Sequence, residues 1–241
     1  MSKNLIFQLD IKGFDWSSSD FWRPYPRYDK LYSDSKKTAI DYARRVNADY
    51  VCLSQGLLDK KYAPNHQKLS FYHYFEYFNY DKILLLDCDT IVYDICPNIF
   101  DFDTVSAVSN NPTTDSPYWP VMRDKWHFPT DSHPKVLNQL ENHEIPFDYD
   151  LYFCTGVMLV TRDFYEFTKD HWKSELEYRN TRNNVGYHDQ TVINCLAYKH
   201  YPHERINMLS EDWGAWWKDS KYINHITGER KENYEEANIS S

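Results

Sequence analysis

Residues 81–94 read DKILLLDCDTIVYD. Ile83 to Leu86 form an unbroken aliphatic run of strand length, the pattern of a strand buried on both faces in the centre of a parallel sheet. The run stops at Asp87, and Cys88 and Asp89 follow directly. In an open α/β sheet, ligands bind in the crevice beyond the carboxyl ends of the strands. An aliphatic strand ending in Asp-Cys-Asp therefore delivers two carboxylates to that crevice. Residues i and i+2 of an extended chain project to the same side, so both carboxylates can converge on one hard cation. Two carboxylates held against a buried strand are costly unless a cation compensates them. A simple turn or helix cap accounts for most Asp-x-Asp sequences; the aliphatic run directly before this one favours the cation reading.

On either side of this stretch, short strand-like runs alternate with helix-like patterns. Leu5–Leu9 opens as a strand, and Ser35–Ala48 follows with Ala39, Ile40, Ala43 and Val46 at helical spacing. Tyr50–Leu53 is a second strand. Pro64 precedes an aromatic-rich helix through Phe78. Val105–Val108 and Phe153–Val160 read as strands, Phe164–Leu176 and Thr191–Tyr198 as helices, and Asn207–Leu209 and Tyr222–Ile226 as late strands. Such alternation predicts a single α/β domain with a mostly parallel central sheet flanked by helices. No repeat or Gly/Ser linker divides it, so the domain is expected to span residues 1–231. Residues 232–241, polar and acidic, are expected to form a disordered tail. Residues 110–134 carry five prolines and two tryptophans, which suits a long structured loop that covers a site and excludes water.

The composition sets bounds on function. Apolar residues make up 41% of the 241 and charged residues 26%, so the chain can build a full globular core. The formal charge of −9 argues against a nucleic-acid or lipid-surface binder, because an acidic field repels phosphate backbones. An acidic chain still binds an anion where a metal supplies local positive charge. The N-terminal apolar run breaks at Gln8 and Asp10, too early for a signal peptide, and no run approaches the roughly 20 residues of a membrane helix. The five cysteines, Cys52, Cys88, Cys96, Cys154 and Cys195, are odd in number and lack CxxC spacing. That pattern suits reduced thiols in a soluble cytoplasmic protein.

The YDK-aliphatic-DxD-T-aliphatic arrangement resembles the metal motif of GT-A-fold nucleotide-sugar glycosyltransferases, with the nearest likeness to family 8, the type of glycogenin and of bacterial lipopolysaccharide galactosyltransferases. Three further segments agree in order. FCTGVMLV at 153–160 is similar to the family's strand lining the donor sugar. Asp189-Gln190 at a helix start is similar to its element near the reacting carbon, and HITGERK at 225–231 to its His-x-x-Gly-x-x-Lys. Each motif alone is weak; four in order across residues 4–231 are fairly specific.

The resemblance implies a Rossmann-like GT-A domain and a hexosyltransferase acting on a nucleotide-diphosphate sugar, a UDP-sugar foremost, with a glycan or glycoprotein acceptor. Asp87, Asp89 and His225 would hold Mn2+ (or Mg2+), and one nitrogen ligand suits manganese better. Lys231 would stabilise the departing diphosphate as a point charge, and Gly228 would let the backbone approach the phosphates. Asp189 and Gln190 become the catalytic pair. Asp10, Lys68, Thr155 and Gly156 join Gly228 and Lys231 as donor-binding residues. The His-x-x-Gly-x-x-Lys likeness points to retention; inversion would need a carboxylate base, for which Asp189 and Asp212 are candidates. Cys154 departs from the pattern, since the family places Asn there and a thiol is a poorer hydrogen-bonding group.

Each of these residues also has a plainer role. Asp189 could be a helix N-cap, Asp10 a strand terminator, Lys68 an exposed helix lysine and Lys231 part of a solvated charged stretch. One or two of Tyr118, Trp119, Trp126, Trp213, Trp216 and Trp217 are expected to stack on an acceptor sugar. Two other functions are compatible with LLLDCDTIV. One is a haloacid-dehalogenase-like phosphatase, disfavoured because 86 residues precede the motif and Asp148/Asp150 follow no aliphatic strand. The other is a sugar-nucleotide-binding protein of the same fold without turnover.

Overall fold

The computed structural model describes residues 2–11, 28–62, 64–110, 152–181, 189–227 and 230–234. The expected loop at 110–134, apart from Asn110, lies outside the described residues, as do Gly228, Asp148 and Asp150. In chain order the strands are β1 (Asn4–Leu9), β2 (Asp49–Leu53), β3 (Lys82–Leu86), β4 (Thr90–Val92), β5 (Val105–Ser109), β6 (Phe153–Thr161), β7 (Ile206–Leu209) and β8 (Ile223–His225). The α-helices are α1 (Asp29–Arg45), α2 (Phe71–Phe78), α3 (Arg162–Thr168), α4 (Trp172–Thr181) and α5 (Asp189–His200).

Six strands form the main sheet in the order β2-β1-β3-β6-β5-β7. β1 runs parallel to β2 and β3, and β5 runs parallel to β7. β6 runs antiparallel to both its neighbours, β3 and β5. The sheet is thus mostly parallel with one reversed strand. This reversal brings the start of β6, rather than its end, to the crevice where β3 stops.

Helices cover both faces, as the unbroken aliphatic run requires. Leu5, Phe7, Ile83 and Leu85 pack on one face with α2, α3, α4 and α5. Ile6, Leu84 and Leu86 pack on the other with Ala39, Tyr42 and Ala43 of α1. All nine residues of β6 are buried. Truncating Leu84 or Met158 to alanine at such positions costs about 2–5 kcal/mol.

Several elements differ in detail from the periodicity. α1 begins at Asp29, whose carboxylate complements the helix N-terminus, and ends at Arg44 and Arg45, which suit its C-terminus. The helix expected to follow Pro64 opens as a 3-10 turn over Pro64–Ser70 before α2 proper. Asn79 closes α2 in the left-handed conformation, φ 56°. The single helix expected over Phe164–Leu176 is two: His171 N–H donates to Thr168 O at 3.0 Å, and this tighter bond separates α3 from α4. Phe164, Trp172 and Leu176 remain on one buried face, which is why the spacing concealed the break.

β4 and β8 form a separate antiparallel ribbon in which Thr90 pairs with His225. Residues 230–234 are helical. Tyr234 donates to Asp34 of α1 at 2.9 Å, so the first residues of the expected tail are tied to the domain.

Candidate active site

Asp87 and Asp89 leave the end of β3 in a tight turn. Thr90 Oγ1 and buried Gln8 Nε2 both donate to Asp87 O, at 2.7 and 3.1 Å, and Asp87 N–H donates to Gly156 O at 2.9 Å. The backbone of the turn is therefore anchored to β1 and β6 while the carboxylates remain available. Pairing of β8 with β4 then returns His225 from the far end of the chain. Its Nε2 lies 3.2 Å from Asp89 Oδ1 and 3.6 Å from Asp87 Oδ2. One ligand atom from each of Asp87, Asp89 and His225 lies within 4.8 Å of the others.

The donor set suits a divalent cation. Two carboxylates and one imidazole are the oxygen-rich, single-nitrogen combination that Mn2+ accepts. Asp89 Oδ1 is buried and makes no hydrogen bond of good geometry, with His225 Nε2 beside it at 3.2 Å, so a cation placed between the two would satisfy both. Gly156 leaves room for the imidazole: a β-carbon there would stand 2.3 Å from His225 Cε1 and 2.9 Å from Asp87 Oδ2.

Two lysines neutralise the acids. Lys231 Nζ lies 2.6 Å from Asp89 Oδ2. Lys68, 6% exposed, is not the exposed helix lysine of the plainer reading. Its Nζ reaches Asp87 Oδ1 at 2.6 Å, Asp189 Oδ2 at 2.9 Å and Thr155 O at 3.3 Å. Burial acts to raise the Asp89 carboxyl, but His225 and Lys231 hold it well below the usual carboxylate range. Burial likewise disfavours the charge on His225, yet Asp89 pushes its imidazole up to about 10. Lys231 is pushed up to about 12 by Asp89 against its own desolvation. Burial also works against the Lys68 charge, and Asp189 and Asp87 hold its ammonium above the ordinary lysine range.

Alternation along β6 distributes the remaining parts. Cys154 and Gly156 face His225, with Cys154 Sγ 3.9 Å from His225 Nδ1. Thr155 points the other way and donates through Oγ1 to Asp189 Oδ2 at 2.9 Å. Asp189, at the first position of α5, is thus held by side chains. Gln190 is fixed at both ends: its Oε1 accepts from Thr155 N–H at 3.3 Å, and its Nε2 donates to Asn110 Oδ1 at 2.9 Å.

Of the residues singled out in the sequence, Asp87, Asp89, His225, Lys231, Lys68, Asp189, Gln190, Thr155 and Gly156 are linked by these contacts. Asp10 stands apart, ion-paired with Lys36 of α1. It lines a cavity of about 570 Å³ with Tyr32, Ser33, Lys36 and Lys37, and that cavity includes none of the cation ligands. Trp213 belongs to the core against Phe102 and Tyr222, which removes it as an acceptor platform. Trp216 is half-buried and donates through Nε1 to Asn110 O at 2.7 Å.

Several working residues escaped the sequence reading. Arg230 is one of them, beside Lys231 in the charged stretch. It donates to Trp216 O, Lys218 O and His225 O and pairs with Asp219 at 2.6 Å, bracing the helical residues 230–234 that carry Lys231. Asn194 lies one helical turn beyond Gln190 and bonds both backbone groups of Phe153, tying α5 to β6. Its spacing from Gln190 was a usable signal. Asn110 had none.

The mostly parallel sheet with β6 reversed, flanked by helices on both faces, agrees with the GT-A fold that the sequence resemblance implies. Comparison with solved structures agrees. A glycosyltransferase involved in the glycosylation of the major capsid of PBCV-1 matches with TM-score 0.54 and 14% identity, over 97% of this chain and 99% of that one. The bifunctional glycosyltransferase WbbM matches with TM-score 0.53 and 16% identity, over 88% of this chain and 39% of that one. No family model and no curated protein matches the sequence. No helix among the described residues is long and apolar enough to cross a membrane.

Proposed function

We propose that this chain is a metal-dependent glycosyltransferase. In this reading it moves a hexose from a nucleoside diphosphate sugar, a UDP-sugar, to a hydroxyl of a glycan or protein, with retention of anomeric configuration. The observation that carries it is the convergence of Asp87, Asp89 and His225 within 4.8 Å at the end of the central strand. Held there, Mn2+ or Mg2+ would offset the negative charge that grows on the diphosphate as the glycosidic bond breaks.

The chain's own residues supply the rest. Lys231 adds a second positive charge beside Asp89, fixed before the reaction and therefore effective without reorganisation. Gly228 would let the backbone approach the phosphates. Asp189 accepts hydrogen bonds from hydroxyls of the acceptor or the donor sugar, with its orientation set by Lys68 and Thr155. Gln190 borders the reacting carbon, and Asp10 with Lys36 faces the nucleobase. An Asp189 carboxylate already engaged by an ammonium and a hydroxyl is poorly suited to act as a base, which supports retention over inversion. None of the five cysteines is joined in a disulfide, which supports a reducing compartment such as the cytoplasm.

Release of nucleoside diphosphate from a panel of nucleotide sugars, with and without Mn2+, tests this reading. The wild type should turn over one class of donor only with the metal, and Asp89→Ala should abolish the effect. Equal rates for the two proteins would remove the metal from the mechanism.

A further inference from the structure

The side of the imidazole turned away from the acids is where this chain departs from the resembling family. An imidazole that gives Nε2 to a cation keeps its proton on Nδ1, and that proton needs an acceptor. His225 is 5% exposed, so water does not serve freely. The side-chain group facing Nδ1 is Cys154 Sγ, at 3.9 Å, within the longer reach of sulfur. Gly156 N–H donates to the same sulfur at 3.4 Å, which fixes its position from the backbone. Cys154 is itself 6% exposed and is the second residue of β6, a strand that pairs further along with β3 on one side and β5 on the other. On the ring's remaining side, Gly156 is packed against Cε1 so closely that no side chain fits between.

We propose that Cys154 is the positioning residue of the cation site: its sulfur accepts the Nδ1–H bond of His225 and so holds Nε2 toward Asp87 and Asp89. The sulfur does not bind the cation; it selects the tautomer and the ring orientation that do. A cysteine ill-suited to hydrogen-bonding a sugar thus has a different task. The proposal rests on the metal assignment above. It goes beyond it by giving the site a support that no Asp-x-Asp or His-x-x-Gly-x-x-Lys pattern contains.

The test is Mn2+ affinity of the purified protein, read by electron paramagnetic resonance without any sugar donor. Removing such an outer partner weakens metal binding by about 10- to 100-fold. Cys154→Ala is expected to show that loss, and Cys154→Ser, which keeps an acceptor, to recover most of it. Cys195→Ala truncates an equally buried thiol within α5 and should bind as the wild type does. Thermal melting of all variants separates lost support from lost fold, because a purely structural thiol would lower stability in Cys154→Ala and Cys154→Ser without the split in Mn2+ affinity. Wild-type affinity in Cys154→Ala, or a Cys154→Ser protein no better than Cys154→Ala, overturns the proposal. Failure of the wild type itself to bind Mn2+ overturns the metal assignment, and this inference with it.

Discussion

Gly156 and His225 approach so closely that a β-carbon on the glycine would lie 2.3 Å from Cε1 of the imidazole, well inside contact distance. The clash is with a buried ring, and behind the glycine runs the backbone of β6, so neither side can yield cheaply. Gly156→Ala is therefore expected to tilt His225 away from Asp87 and Asp89. Mn2+ affinity should fall about 10- to 100-fold, measured by paramagnetic resonance, with a smaller change in melting temperature.

Lys68 holds two acids that arrive from distant parts of the chain, Asp87 after β3 and Asp189 at the start of α5. Lys68→Ala leaves both without their buried partner, a loss of about 3 kcal/mol in stability that urea unfolding would read. Lys68→Arg keeps the charge but not the shape, since a planar fork cannot replace a point ammonium in a closed site. Turnover in Lys68→Arg should still fall by about 100-fold. Near-wild-type rates there would reduce Lys68 to a generic counter-charge.

The acid pair and the central strand were legible in the sequence because burial on two faces and abrupt termination leave local marks. Ile83 to Leu86 has no polar residue to hide, and Asp87 and Asp89 follow without a gap. Strand direction leaves no such mark. Phe153–Thr161 is apolar whichever way it runs, so the reversal of β6 and the placement of Cys154 beside His225 could not be read from it. Lys68 was noticed only through the resemblance, because one lysine near a helix does not reveal the two acids that fold onto it. Arg230 left no mark for a related reason: its acceptors are mostly backbone carbonyls, which have no signature in sequence.

Arg230 reaches residues 216–219 through two carbonyls and one carboxylate, and β8 through His225 O and Asn224 Oδ1. Lysine cannot span that set of acceptors. Arg230→Lys is expected to lose about 2 kcal/mol of stability and to raise the KM for the sugar donor more than it lowers kcat. A change confined to kcat would place Arg230 outside the support of Lys231.

His171 and His200 stack with ring centroids 3.8 Å apart and planes within 3°. Burial first, then the neighbouring His171, lower the His200 imidazole below its ordinary value; Lys199 adds to this and Glu175 opposes it. A depressed folded-state pKa favours the neutral ring in the native protein. The corresponding stability is present above the unfolded value of about 6.5 and is lost as pH falls below it. Melting temperature should therefore drop less for His200→Gln than for the wild type between about pH 7 and pH 5. Parallel curves would mean that His200 titrates as it does in the unfolded chain.

Asn110 N–H donates to Tyr152 O at 2.8 Å, so the two points where the chain leaves and re-enters the sheet are pinned together at the mouth of the crevice. Closing an excursion between fixed points costs only slowly more as the excursion grows. Insertions or deletions between these two anchors are thus expected to leave the acids and the imidazole in place, because the strands that bear them are already complete without it.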